Sequence, residues 1–184
     1  VLGRSHGLAG AAAGLTVGLA APSVMVGLGC GVVGYLAAYV PDLDHPRARA
    51  VRVLGPLGWL ACRMLRGLST ALGLPAHRGL SHTVACALGV GALAGATAGL
   101  WLAVVAAVAV GVAAAAGVVA ALLGDWLTVQ SLPLLWWPLS RTGWCPPRGM
   151  RMRTGGVAEK WIVVPTLVAL VIALGVAQMR SGVT

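Results

Sequence analysis

Leu19-Ala20-Ala21-Pro22-Ser23-Val24 interrupts an uncharged run that extends from Gly7 to Val40. As one straight helix, those 34 residues would measure ~51 Å at ~1.5 Å per residue, too long for a hydrocarbon core of ~30 Å. A proline followed by a serine is a turn and helix-start signal. The run therefore reads as two short passes, about 7–20 and 24–40, folded into a hairpin. The hairpin returns the chain to its starting side and delivers the next segment, Val40-Pro41-Asp42-Leu43-Asp44-His45-Pro46, to the level of His6.

The rest of the chain repeats this pattern. Thr83 to Gly124 is another uncharged stretch, about twice the length of one span, and a turn near Gly95–Gly99 would make a second hairpin with Trp101 at the far interface. A final span is expected over about 161–178. Between the hairpins, Val53 to Leu72 mixes Arg63 and Arg66 with Leu57, Leu60, Leu65 and Leu68 on an opposing side, the pattern of a helix lying in the interface. Composition agrees: 59% of residues are hydrophobic and 9% charged, against roughly 25% charged in soluble domains. The expected fold is one domain, residues 1–184. It is an all-α polytopic membrane bundle of about five passes, two hairpins plus a C-terminal span, with one interfacial helix.

On that topology, all thirteen lysines and arginines except Arg180 fall on one side, which the positive-inside bias makes cytoplasmic. The net charge of +9 then needs no nucleic-acid partner. Membrane lipids are the expected surroundings, in the cell (inner) membrane. Cys30, Cys62, Cys86 and Cys145 form no close pair, so no disulfide framework is expected. Trp126, Trp136, Trp137 and Trp144 cluster as expected at a headgroup belt.

The chain has four acidic residues and four histidines, each at or near the end of an apolar run. His6, Asp42, Asp44, His77, His82, Asp125 and Glu159 then share one face. They form an oxygen-and-nitrogen donor set, without thiolates, that suits one or two divalent ions: Zn first, with Mn or Fe as alternatives. The spacing of Asp42 and Asp44 puts both carboxylates on one side of an extended loop. His77 and His82, five apart, would point ~140° apart on one helix, so Ser81 is expected as N-cap and His82 as the first helical residue. His45, held before Pro46, is the weakest member of the set. Carboxylates at membrane level are costly without partners, which favours a common site.

Pro41-Asp42-Leu43-Asp44-His45, then His77-Arg78-Gly79-Leu80-Ser81-His82-Thr83, then Asp125-Trp126-Leu127-Thr128 with Pro133-Leu134-Leu135-Trp136-Trp137-Pro138 resemble the YdjM family of membrane-bound metal-dependent hydrolases. His6 ahead of a Gly/Ala-rich helix fits too. The resemblance runs from His6 to Glu159 and extends distantly to zinc-dependent phospholipase C. It implies His6, Asp42, Asp44, His77, His82 and Asp125 as metal-binding and catalytic positions. Ala121 stands where family members often carry a histidine, and Gln130-Ser131 follows where a glycine is usual.

The expected activity is hydrolysis of a phosphoester, a phospholipid or related compound, at the membrane surface by metal-activated water. Asp44 is expected as proton acceptor, with Asp42 beside it and Arg78 holding the anionic phosphoryl group. Arg47 to Arg66 would gather anionic headgroups. The competing reading is a non-enzymatic membrane protein whose basic face binds anionic lipid, nucleic acid or a protein partner. A transporter fits less well, because its ionisable groups belong near the midplane.

Overall fold

The computed structural model describes residues 3–128, 132, 135–140, 146–147, 149 and 151–181. Six helices carry the fold: α1 (Gly3–Gly18), α2 (Val24–Ala37), α3 (Arg49–Ala71), α4 (Val84–Ala98), α5 (Val104–Trp126) and α6 (Val164–Ser181). Short 3-10 turns occupy Pro41–Asp44 and Leu80–His82, and a π-turn over Glu159–Val163 leads into α6. Among the described residues there is no strand, only a single bridge between Thr128 and Met152. Expectations that fall on Trp144, Cys145, Gln130, Ser131, Pro133 and Leu134 lie outside the described residues.

Among the described residues, three segments are long and apolar enough to cross a membrane: Val24–Asp44, Val104–Trp126 and Glu159–Ser181. α4 is a shorter apolar helix, and α1 is 16 residues long. Both hairpins are present. The first turns at Leu19–Ser23, where the Ser23 hydroxyl accepts from the Val26 amide at 3.3 Å and caps α2. Such a cap contributes about 1 kcal/mol. The second turns at Gly99–Ala103, slightly later than the sequence suggests, and leaves Trp101 highly exposed at that end.

Close helix approach depends on missing side chains. Gly34 of α2 lies against Gly10 of α1 and Gly117 of α5, and a Cβ at either of those two positions would collide with the Gly34 carbonyl. Three helices therefore meet at one backbone contact, the geometry small residues permit in lipid. α1 is packed on both α2 and α5. His6, the Asp42 turn and Asp125 lie on the same side of this contact, so packing brings them to one end.

α3 packs mainly against the two 3-10 turns. Gly55 takes φ 58°, and this left-handed residue lets Pro56 begin a new helical stretch instead of breaking one. Leu57, Leu60 and Leu68 are exposed, while Gly58, Cys62 and Ser69 face the protein. The leucines therefore form an exposed apolar face, opposite the residues that pack on the protein. The two arginines divide: Arg63 lies over the Trp59 ring at 4.7 Å, whereas Arg66 reaches inward to the Asp44 carbonyl at 3.4 Å. Cys30, Cys62 and Cys86 are free thiols.

Candidate metal centre

The segment Pro41–Asp44 is a 3-10 turn, not the extended loop expected from its prolines. Extended residues two apart share a side, whereas at three residues per turn they diverge. Asp42 faces α1, with Oδ2 3.6 Å from His6 Nδ1. Asp44 turns into the protein, fully buried, toward the His77–His82 segment.

Asp125, at the end of α5, faces His6 from the other side, its Oδ1 3.1 Å from His6 Nε2. His6, Asp42 and Asp125 thus bring donor atoms within 4.8 Å of one another, a group that could hold a metal ion. His6 and Asp125 are buried and Asp42 is half-buried. Within this group, His6 Nδ1 is buried without a hydrogen-bond partner. Leaving such an atom unsatisfied costs roughly 1–3 kcal/mol. Its 3.6 Å separation from Asp42 is too long for a hydrogen bond, yet two metal bonds of about 2.0–2.2 Å can bridge it. The donors present fit a small divalent ion.

Asp44 organises the neighbouring group. Its Oδ1 lies 2.8 Å from His77 Nδ1, and its Oδ2 accepts from the Arg78 amide at 2.8 Å and the Ser81 hydroxyl at 2.6 Å. Ser81 is therefore not the N-cap. Thr83 caps α4 instead, accepting from the Cys86 amide at 3.2 Å, and His82 closes the preceding 3-10 turn. Arg78 holds φ 58°, an uncommon conformation for a side chain of this size, and the bond from its amide to Asp44 helps to fix it.

His82 joins the two groups. Its Nδ1 is 3.0 Å from Ser81 Oγ and 3.3 Å from Asp44 Oδ2, and its Nε2 is 3.5 Å from Asp125 Oδ2. Ser81 has one proton and gives it to Asp44, so Nδ1 is the donor toward Ser81 and Nε2 carries the lone pair in the neutral ring. A carboxylate behind one ring nitrogen with the other directed at the site is the usual support for a metal-ligating histidine.

Of the seven residues expected as ligands, six are joined in this network. Glu159 is the exception. Buried at the start of the π-turn, it accepts from Ser5 Oγ at 2.6 Å and from the Gly155 amide at 2.7 Å. Its partner Ser5 precedes His6 on α1, so the bond ties the helix that carries His6 to the start of the π-turn. Arg78 reaches Asp125 Oδ1 at 4.0 Å, inside the network where an anion holder was expected. Asp44, expected as proton acceptor, has both oxygens committed, and its exposed partner is His77, with a side chain 44% accessible. His45 stacks edge-on against His77 at 5.0 Å and accepts the Arg47 amide on Nδ1, a place at the rim.

Sequence reasoning overlooked Ser69. Fully buried, its hydroxyl accepts from the Leu80 amide at 3.1 Å and ties α3 to the His77–His82 segment. The available signal was its helical spacing from Gly58 and Cys62 on the side of α3 opposite the leucines. The bond from Ser5 to Glu159 has no comparable signal, since 154 positions separate the partners.

A search of curated proteins and a search of solved structures each returned no match. The family comparison was positive over the full length of the chain. With its apolar helices and its His6–Asp42–Asp125 group, the chain belongs to the YdjM inner membrane protein family, whose model it matches over residues 1–184.

Proposed function

We propose that this protein is a membrane-bound metal-dependent hydrolase that cleaves a phosphoester, a phospholipid or related compound, at the cytoplasmic surface. The observation that carries this reading is the buried His6–Asp42–Asp125 group with its orphaned His6 Nδ1. A divalent ion there, zinc by its N/O donors, would supply Lewis acidity, the property that lowers the pKa of water from 15.7 to about 7 in hydrolytic metal sites. His6, Asp42 and Asp125 would hold it, with His82 Nε2 at the edge for the same or a second ion. Asp44 fixes His77 Nδ1, leaving the exposed side of that ring to accept and return a proton, a better-placed base than Asp44 itself. The Arg78 guanidinium, beside Asp125, can hold an anionic phosphoryl group.

Five passes with the centre facing the cytoplasm agree with the two antiparallel hairpins. α6 leads away from Glu159 and carries Arg180 to the opposite end. Metal analysis and phosphate release from phospholipid vesicles test the proposal. Wild-type protein should bind metal and lose activity to a chelator, and Asp42→Ala should lack both properties. Unchanged metal content in Asp42→Ala would defeat it. If the protein purifies metal-free and inert yet binds anionic vesicles, the non-enzymatic alternative holds instead.

A further inference from the structure

A cavity of ≈ 210 Å³ lies between α1, α5 and the start of α6, with His6 in its wall. The surface it presents is almost wholly apolar, and its lining residues change in type along the helix axes. At one end are Ser5, His6 and Glu159, under a rim formed by Arg153 and Thr154; at the other, deeper end are Ala9, Ala120 and Leu167. α1 and α6 lead away from the polar end and α5 runs toward it, so the apolar end lies about one turn farther into the helical bundle. The π-turn at Glu159–Val163 contributes to this shape, since it supplies both the buried carboxylate and the Val163 wall. Such turns recur at functional sites.

We propose that this cavity receives one acyl chain of an anionic phospholipid, with the headgroup at Arg153 and the chain between Ala9 and Ala120. The reading deepens the proposed function, for it makes the substrate a lipid that enters the site from the bilayer side beside His6. Two features select this occupant. An apolar space between membrane helices is in contact with hydrocarbon, and α6, whose span is only 6% buried, leaves the neighbouring surface to lipid. At the rim, Arg153 is exposed, whereas the one carboxylate of the wall, Glu159, is turned onto Ser5 and Gly155. The charged group that an incoming headgroup meets at the surface is therefore the Arg153 guanidinium, with Glu159 buried behind it. Because lipid chains lose no water on moving from bilayer to cavity, selectivity must come from the headgroup and from shape.

The test uses the full chain in nanodiscs of phosphatidylglycerol or phosphatidylcholine carrying a photoactivatable diazirine on one acyl chain, with crosslinks mapped by mass spectrometry. Expected are crosslinks at Ala9, Ala120 and Leu167 with phosphatidylglycerol. They should be lost in Ala120→Trp, which fills the cavity, and reduced in Arg153→Glu. Crosslinks at lipid-facing Leu170 and Ile172 should persist in both variants. If Ala120→Trp disturbs folding, judged by its melting temperature, Ala9→Leu replaces it. Equal labelling by the two lipids, or labelling unchanged in a folded cavity-filling variant, overturns the proposal. Labelling needs no turnover, so lipid entry without hydrolysis would refute the hydrolase reading and leave this one standing.

Discussion

The Asp44 group and the His6 group use the same residue types and share His82, yet they are finished differently. Asp44 is fully buried and saturated: His77, Arg78 and Ser81 all bond to its oxygens. In the His6 group, Asp42 stops just beyond hydrogen-bond reach, and His6 Nδ1 is buried without a partner. A saturated carboxylate can set the orientation of its neighbours but has little left to offer a ligand. An incomplete group keeps the donors that a cation needs. The difference divides the site into a part that could hold a metal ion and a part that orients its neighbours.

The most damaging test of that division is Asp125→Ala. It removes the carboxylate facing both His6 and His82, so bound metal should be lost and folding stability should fall by about 1–3 kcal/mol as the buried His6 Nε2 loses its acceptor. Metal analysis and a thermal melt would read both effects, and full metal content in the variant would refute the assignment. Next comes a matched pair. Asp42→Asn should weaken metal affinity by more than about 100-fold, while Asp44→Asn, which disturbs only the support, should cost about 10–100-fold. Competition titration with a zinc indicator orders the two, and the reverse order would exchange the roles of the groups.

Metal removal gives a smaller signal. At metal 100-fold above its dissociation constant, a chelator should lower stability by about 2.7 kcal/mol, and His6→Gln should melt at one temperature with or without chelator. A chelator response retained in His6→Gln would place the ion elsewhere. Glu159 provides the mildest contrast. Glu159→Ala should cost about 1–3 kcal/mol through loss of the Ser5 and Gly155 bonds, with Glu159→Gln close to wild type and metal stoichiometry unchanged in both. Loss of one metal equivalent in Glu159→Gln would return Glu159 to the ligand set.

Much of the fold could be read from local composition. Pro22-Ser23 marked the first hairpin because a proline and a cap act on their own few residues, and the Ser23 cap is present. The leucines of α3 marked its exposed apolar face, although the arginines did not share one fate. Errors arose where two local solutions compete. The prolines around Asp42 and Asp44 are compatible with both an extended loop and a 3-10 turn, and only the turn allows one carboxylate to meet α1 while the other meets the His77–His82 segment. Ser81 and Thr83 are both good caps. Thr83 took that role because Asp44 had already engaged Ser81.

By itself, the sequence determined that the chain is a helical membrane protein, that its ionisable groups stand at the ends of apolar runs, and that the donor set is of nitrogen and oxygen. These follow from segment length, charge and residue chemistry, which act locally. Tertiary structure decided which donors converge. The contact of Gly10, Gly34 and Gly117 brings His6, Asp42 and Asp125 to one end of the bundle, while Asp44 and Glu159 are hydrogen-bonded to neighbouring segments. Convergence depends on the rotation and depth of helices distant in sequence, and those are fixed by backbone packing that no short motif records.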